Sequence, residues 1–220
     1  MGYRAWATII VVVALVILGS FLFLQSSGTQ RPSTYEDIGT ELGSGRIERP
    51  DVGFAITAPN GWSAWEPSTG WQDWWGADTV VHLWLEPGSD SETWWMGACD
   101  IGEECTRERM VEAGGEAYCW VVDDTELAAQ AEWSGPAMPA ALTATGLAEQ
   151  EDWTEIGTAL EELPSGEASM VRAVDPNGWP QQTWHMTDGD RWFRLICGVL
   201  AGDTEPREIA ETFEFLPLPG

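Results

Sequence analysis

Tryptophan is the residue type in this chain with the strongest potential to make contacts. The chain has 15 Trp, and eight of them fall within residues 62–95. Three lie within five residues of a Gly-flanked stretch, GWQDWWGA, and cannot all face one interior. Because an indole offers a large rigid face for stacking on a sugar or anchoring in a partner, we predict a binding surface here. Its residues are Trp71, Asp73, Trp74, Trp75, Trp94 and Trp95.

Two other interpretations of these tryptophans stay open. Several of them could belong to the core or cover a loop, as large apolar side chains commonly do. Insertion at a membrane interface also suits Trp, although the surrounding acidic residues oppose it on an anionic leaflet.

Signals for catalysis or metal binding are weak. The two histidines, His82 and His185, each lie on a predicted strand near a Trp, where a packed or surface side chain is commoner than a catalytic base. Asp100, Glu103 and Glu104 could ligate calcium, but their spacing departs from the EF-hand pattern, and solvated loop charges are the simpler interpretation. No nucleophile-elbow, zinc-protease or phosphate-loop motif occurs. We therefore predict no catalytic residue, metal or cofactor.

Charge excludes one class of partner. The chain carries 36 Asp and Glu against 10 basic residues, for a formal net charge of -26, and it has no Lys. Proteins that bind nucleic acid need clustered Lys or Arg to displace counterions from phosphates. The sequence therefore predicts no nucleic-acid partner.

The four cysteines indicate an oxidising compartment. Cys99, Cys105, Cys119 and Cys197 form an even set without zinc-site spacing. Four buried thiols are the alternative. Of the three possible pairings, we favour Cys99 with Cys105, closing a short loop, and Cys119 with Cys197, joining two apolar β-rich runs.

The N-terminal segment is typical of a membrane anchor. Residues 5–24 contain no charge and match the length that a helix needs to cross a bilayer. A cleaved signal peptide is the alternative, but its apolar region is about 7–15 residues long and ends in a small-x-small site. We predict a cytoplasmic start at residues 1–4, a transmembrane helix at 5–24 and a flexible stalk at 25–45, which is rich in Ser, Thr and Gly. Residues 46–220 would then form an extracytoplasmic domain of a single-pass protein of the cell membrane.

The domain alternates between strand and helix patterns. Asn-Gly and Asp-Gly turns separate the later strands and favour hairpins. Strands are predicted at 52–56, 80–85, 117–122, 153–160, 168–174, 182–186 and 192–199, and helices after 123–126, at 139–150 and at 204–213. Successive hairpins with flanking helices indicate an α+β fold, an antiparallel sheet flanked by helices.

The order of short motifs adds a resemblance. GFAITAPNGW, a middle helix, LPSGEA, TDGDRWFRLIC and PREIAETFEFLP follow one another. This layout, over residues 46–217, resembles the PsbP-like superfamily, an α/β/α sandwich found in photosystem II extrinsic subunits and secreted actinobacterial lipoproteins. The resemblance implies the fold and no shared enzymatic activity. The chain departs from the lipoprotein members by having an apolar helix in place of a lipidated Cys.

These features predict a membrane-anchored binding or accessory domain of the cell envelope. Its ligand would be a glycan, a peptide or another envelope protein. One alternative is a carboxylate-based hydrolase, whose two acids the sequence does not identify. The other is a structural or assembly subunit of a membrane complex.

Overall fold

The structure is a computed structural model of the chain. It describes residues 39–68, 78–85, 117–150, 152–176, 178–199 and 205–219, and the statements below concern those residues. The predicted transmembrane helix, residues 5–24, lies outside them. No helix in the described part has the length and apolar character needed to span a bilayer.

The described residues form eleven strands and three helices. The strands are β1 (Gly39–Gly43), β2 (Arg46–Arg49), β3 (Phe54–Thr57), β4 (Trp62–Pro67), β5 (Thr79–Leu85), β6 (Ala117–Asp123), β7 (Thr154–Leu163), β8 (Gly166–Val174), β9 (Pro180–Thr187), β10 (Trp192–Val199) and β11 (Glu214–Phe215). The helices are α1 (Thr125–Gln130), α2 (Ala137–Ala148) and α3 (Pro206–Ala210).

The strands form two antiparallel sheets. The large sheet has eight strands in the order β1-β4-β5-β6-β10-β9-β8-β7, and the small sheet has the order β11-β3-β2. The predicted hairpin between β9 and β10 is confirmed. In its turn, the Asp188 carboxylate accepts hydrogen bonds from the backbone N–H groups of Asp190 and Arg191.

The core lies between one face of the large sheet and a layer made of the small sheet and α3. Alternate residues of β10, Phe193 and Leu195, point into it and are almost completely buried. The Phe54 ring of the small sheet lies 5.2 Å from the Phe193 ring and 5.5 Å from the Phe213 ring. The contact between Phe54 and Phe193 joins the two sheets, and Phe213 packs against Phe54 from the segment between α3 and β11.

The other face of the large sheet carries α1 and α2, and we call it the helix face. Helix α2 packs against β7, β8 and β9, and α1 packs against β10. The layers are therefore two helices, the large sheet, and the small sheet with α3. This arrangement confirms the predicted antiparallel α+β class.

Most predicted elements are confirmed within a few residues, and two need correction. Strand β1 (Gly39–Gly43) lies inside the segment predicted as a stalk, and its backbone pairs with β4 although it has few apolar side chains. The last helix, predicted over 204–213, ends at Ala210. There the Thr212 hydroxyl accepts a hydrogen bond from the Thr57 backbone N–H and donates to the Ile209 carbonyl, which turns the chain toward β11.

The predicted disulfide between Cys119 and Cys197 is confirmed. The two residues are directly opposed on β6 and β10, with Cα atoms 4.1 Å apart, and both are fully buried in the core. Cys99 and Cys105 lie outside the described residues.

Candidate functional site

Aromatic side chains line up across the helix face of the large sheet. Trp65 of β4 is directly opposed to His82 of β5, and His82 is directly opposed to Trp120 of β6. Their chain neighbours Ala64, Leu83 and Val121 belong to the core. Because successive side chains of a strand point to opposite faces, the three aromatic residues share the helix face.

A fourth ring completes this group. The Tyr118 ring stacks on the Trp120 ring, with centroids 4.7 Å apart and an interplanar angle of 22°. The Trp120 ring also lies 5.8 Å from the His82 ring. We call Trp65, His82, Tyr118 and Trp120 the aromatic platform. Its Trp and Tyr side chains are half-buried, and His82 is 7% exposed.

A glycine on β10 allows the Tyr118 ring to lie flat on the sheet. A Cβ atom at Gly198 would lie only 2.5 Å from Tyr118 Cζ, so the ring occupies the space that any other side chain would fill. Gly198 is directly opposed to Tyr118 in the ladder between β6 and β10. The absence of a side chain at Gly198 therefore allows the Tyr118 ring to lie close to the backbone of β10.

The platform carries no charge near neutral pH. Burial lowers the pKa of His82 to about 3, so its imidazole is neutral. Glu41 of β1 is directly opposed to Trp65 and is exposed, which places a carboxylate at the outer edge. The arrangement places a group of stacked, half-buried rings on this face, with a carboxylate at its edge.

A polar cluster lies on the same face, beneath α1 and α2. His185 of β9 is directly opposed to Arg194 of β10, and the Arg194 guanidinium lies 3.1 Å from an Asp124 carboxylate oxygen. The Thr143 hydroxyl of α2 lies 3.1 Å from His185 Nε2. His185 is 2% exposed and Asp124 is 3% exposed.

Burial controls the protonation of this cluster. It lowers the pKa of His185 to about 3, and the positive charge of Arg194 acts in the same direction. It raises the pKa of Asp124, while the ion pair with Arg194 opposes that rise. Among the described acids, Asp124 is the one with a raised pKa, and its burial and ion pair leave it poorly placed to meet a substrate.

The predicted contact residues do not enter this site. Trp71, Asp73, Trp74, Trp75, Trp94 and Trp95 lie outside the described residues, as do Asp100, Glu103 and Glu104. Of the other tryptophans in residues 62–95, Trp62 is 2% exposed and belongs to the core, whereas Trp65 is on the platform. The described residues contain no group of three His, Cys, Asp or Glu that could hold a metal ion.

Tyr118 and Trp120 were not predicted as site residues. Their signal was the alternation in AYCWVV, where Cys119 points into the core and both neighbouring aromatic residues must point away from it. The pairing of β6 with β5, which brings Trp120 beside His82, had no signal in the sequence.

Comparison with known proteins gives similarity of layout only. No protein-family model and no curated protein matches the chain. Cyanobacterial PsbP from Synechocystis sp. PCC 6803 is similar, with a TM-score of 0.44 and 11% identity over 79% of this chain and 93% of that chain. LpqN of Mycobacterium tuberculosis, described as involved in cell envelope biogenesis, has a TM-score of 0.40 and 11% identity over 78% of this chain and 90% of its own. At these values we draw no function from either protein.

Proposed function

We propose that this chain is an extracytoplasmic binding domain of the cell envelope, anchored by residues 5–24, and that the aromatic platform is part of its contact surface. The observation that supports binding is the group of stacked, half-buried rings on one face of the sheet. The buried disulfide between Cys119 and Cys197 supports an oxidising compartment.

A neutral glycan is the ligand class that suits the platform best. Sugar rings stack on Trp and Tyr faces, and the Trp120 ring lies 4.7 Å from the Tyr118 ring and 5.8 Å from the His82 ring. The platform is uncharged, and the chain as a whole carries a net charge of -26, which repels anionic polymers. The predicted contact residues Trp71, Trp74, Trp75, Trp94 and Trp95 would extend the same surface.

The test is binding of the full-length chain to an array of neutral oligosaccharides, including maltohexaose, cellohexaose and galactan and arabinan hexamers. An acidic galacturonate hexamer serves as the comparison. Trp120→Ala removes the ring that touches both Tyr118 and His82. We expect it to weaken binding about ten-fold or more, as loss of a central aromatic contact does.

Trp153→Ala is the matched control. Trp153 is also half-buried, but it precedes β7 at the opposite edge of the large sheet from the platform. It should leave affinity unchanged. Equal loss in both variants, or binding by Trp120→Ala at wild-type strength, would exclude the platform as the contact surface. Preferential binding of peptides over every glycan would exclude the glycan assignment and keep the surface.

A further inference from the structure

Several polar nitrogens beneath α1 and α2 are buried and have no hydrogen-bond partner among the described residues. Two of them are His185 Nδ1 and Arg194 Nε. Their residues are directly opposed on β9 and β10 and share the helix face. A buried polar atom without a partner destabilises the folded state, so two on directly opposed residues indicate a bound polar group.

A third nitrogen lies in the same region. Trp133, in the link between α1 and α2, has a buried Nε1 that forms no hydrogen bond with the part of the chain that the structure describes. Its ring meets the Trp192 ring edge-on at 5.4 Å, and Trp192 precedes Arg194 by two residues on the same face of β10. The link between the helices therefore packs on the helix face at Trp192, two residues before Arg194.

The chemistry of these atoms selects a neutral ligand. Arg194 Nε and Trp133 Nε1 each carry one hydrogen to donate, and His185 Nδ1 accepts when its proton is on Nε2. The Arg194 charge is balanced by Asp124 at 3.1 Å, so the cluster offers no net positive charge to an anion. Two donors and one acceptor match the hydrogen-bonding capacity of water, which typically makes about three bonds in a buried site.

We propose that the polar cluster holds an ordered internal water molecule, bound between Arg194 Nε and His185 Nδ1 with Trp133 Nε1 beside it. This water would complete the hydrogen bonding of these three nitrogens. It would connect the link between α1 and α2 to β9 and β10. The site is independent of any ligand on the aromatic platform.

The test is water-selective NOE and ROE spectroscopy on the full-length chain labelled with ¹⁵N. We expect the Arg194 Nε–H to show a cross-peak with a water that tumbles with the protein. Arg194→Lys, which keeps the charge and loses the Nε–H, assigns that signal. Arg49 is the control, because its Nε already donates to Asp51 at 3.0 Å and should show no such cross-peak.

The indole signals provide a second measurement. Trp133 Nε1–H should contact the same water, whereas Trp184 Nε1–H, which donates to Glu161 at 3.1 Å, should not. Arg194 behaving like Arg49 would overturn the proposal. Saturable shifts of the Arg194 and Trp133 signals on titration with chloride would also overturn it, because they would show an anion in the site.

Discussion

His82 and His185 are the only histidines of the chain, and both are buried on the helix face. In each, burial lowers the pKa from 6.5 to about 3, so the folded protein keeps them neutral. The unfolded chain takes up protons on both as the pH falls below about 6.5. Their contribution to stability is therefore complete above that pH and is lost progressively toward pH 3.

When the pH falls from about 7 to 5, each histidine becomes protonated in the unfolded chain and stays neutral in the folded one. We expect this difference to lower the free energy of unfolding by about 2 kcal/mol for each histidine. Asp124 acts in the opposite direction, because its raised pKa favours the folded state in acid. Urea unfolding of the wild type, His82→Gln and His185→Gln across this range measures the effect. Each substitution should reduce the pH dependence by close to one proton. Unchanged slopes in both variants would show that the histidines titrate normally in the fold.

Individual residues of the site were only partly predictable. The alternation of β5 and β6 identifies which side chains point away from the core. The sequence left open whether His82 is a packed or a surface side chain, and in the structure it is buried. The partner of each strand was not predictable, because antiparallel pairing joins segments far apart in the chain and depends on the whole core. The ion pair between Arg194 and Asp124 was not predictable for the same reason, because the two charges become neighbours only when β10 pairs with β6.

Substitution by alanine is expected to have opposite effects on stability at two glycines, one in β10 and one in α2. Gly198 of β10 lies beneath the Tyr118 ring, and an added Cβ would meet three of its atoms at 2.5–2.8 Å. Gly198→Ala should therefore push the ring away from Trp120 and cost about 1–3 kcal/mol, as overpacking does. We expect a changed near-ultraviolet circular dichroism signal and a lower urea midpoint.

Gly146 of α2 is the matched control. Apart from its chain neighbours and the backbone of its own helix, no described atom lies within 4 Å of the position of an added Cβ there. Gly146→Ala should raise the unfolding free energy by about 0.5–1 kcal/mol, because alanine has the better helix propensity. Equal effects of the two substitutions would show that the Tyr118 ring does not rest on Gly198.

Elements with a strong internal pattern were predictable, and those held by distant contacts were not. Strand β10 was predicted at its observed bounds because apolar residues alternate through it. Strands β1, β2, β4 and β11 were missed. Some depend on remote groups: the Arg191 guanidinium donates to the carbonyls of Gly53 and Leu216, which fixes the chain beside β11. Hydrogen bonds of this kind produce no periodic pattern in the sequence.

The disulfide links the middle of the large sheet, where four strands lie on one side of the β6–β10 contact and four on the other. Cys119 and Cys197 are 78 residues apart in sequence, so the bond removes a large loop-closure entropy from the unfolded chain. The intervening segment includes α1, α2 and β7 to β9. Its folding is therefore coupled to the pairing of β6 with β10.

Loss of this bond should destabilise the domain more than loss of a short-loop disulfide. We expect the double variant Cys119→Ala and Cys197→Ala to lose about 2–4 kcal/mol of unfolding free energy. Cys99→Ala with Cys105→Ala is the control, because the predicted bond there closes a loop of few residues and constrains the unfolded chain less. Urea unfolding of both double variants, with and without reductant, measures the difference.

Reduction kinetics test the same bond in the unaltered protein. Both sulfurs lie in fully buried residues, so a thiol reaches them only when β6 and β10 separate. Peptide mapping after alkylation should show Cys119 and Cys197 reduced at the rate of unfolding, largely independent of dithiothreitol concentration above a threshold. A rate that rises in proportion to dithiothreitol in the folded state would mean that the bond is accessible, and that the centre of the sheet opens without global unfolding.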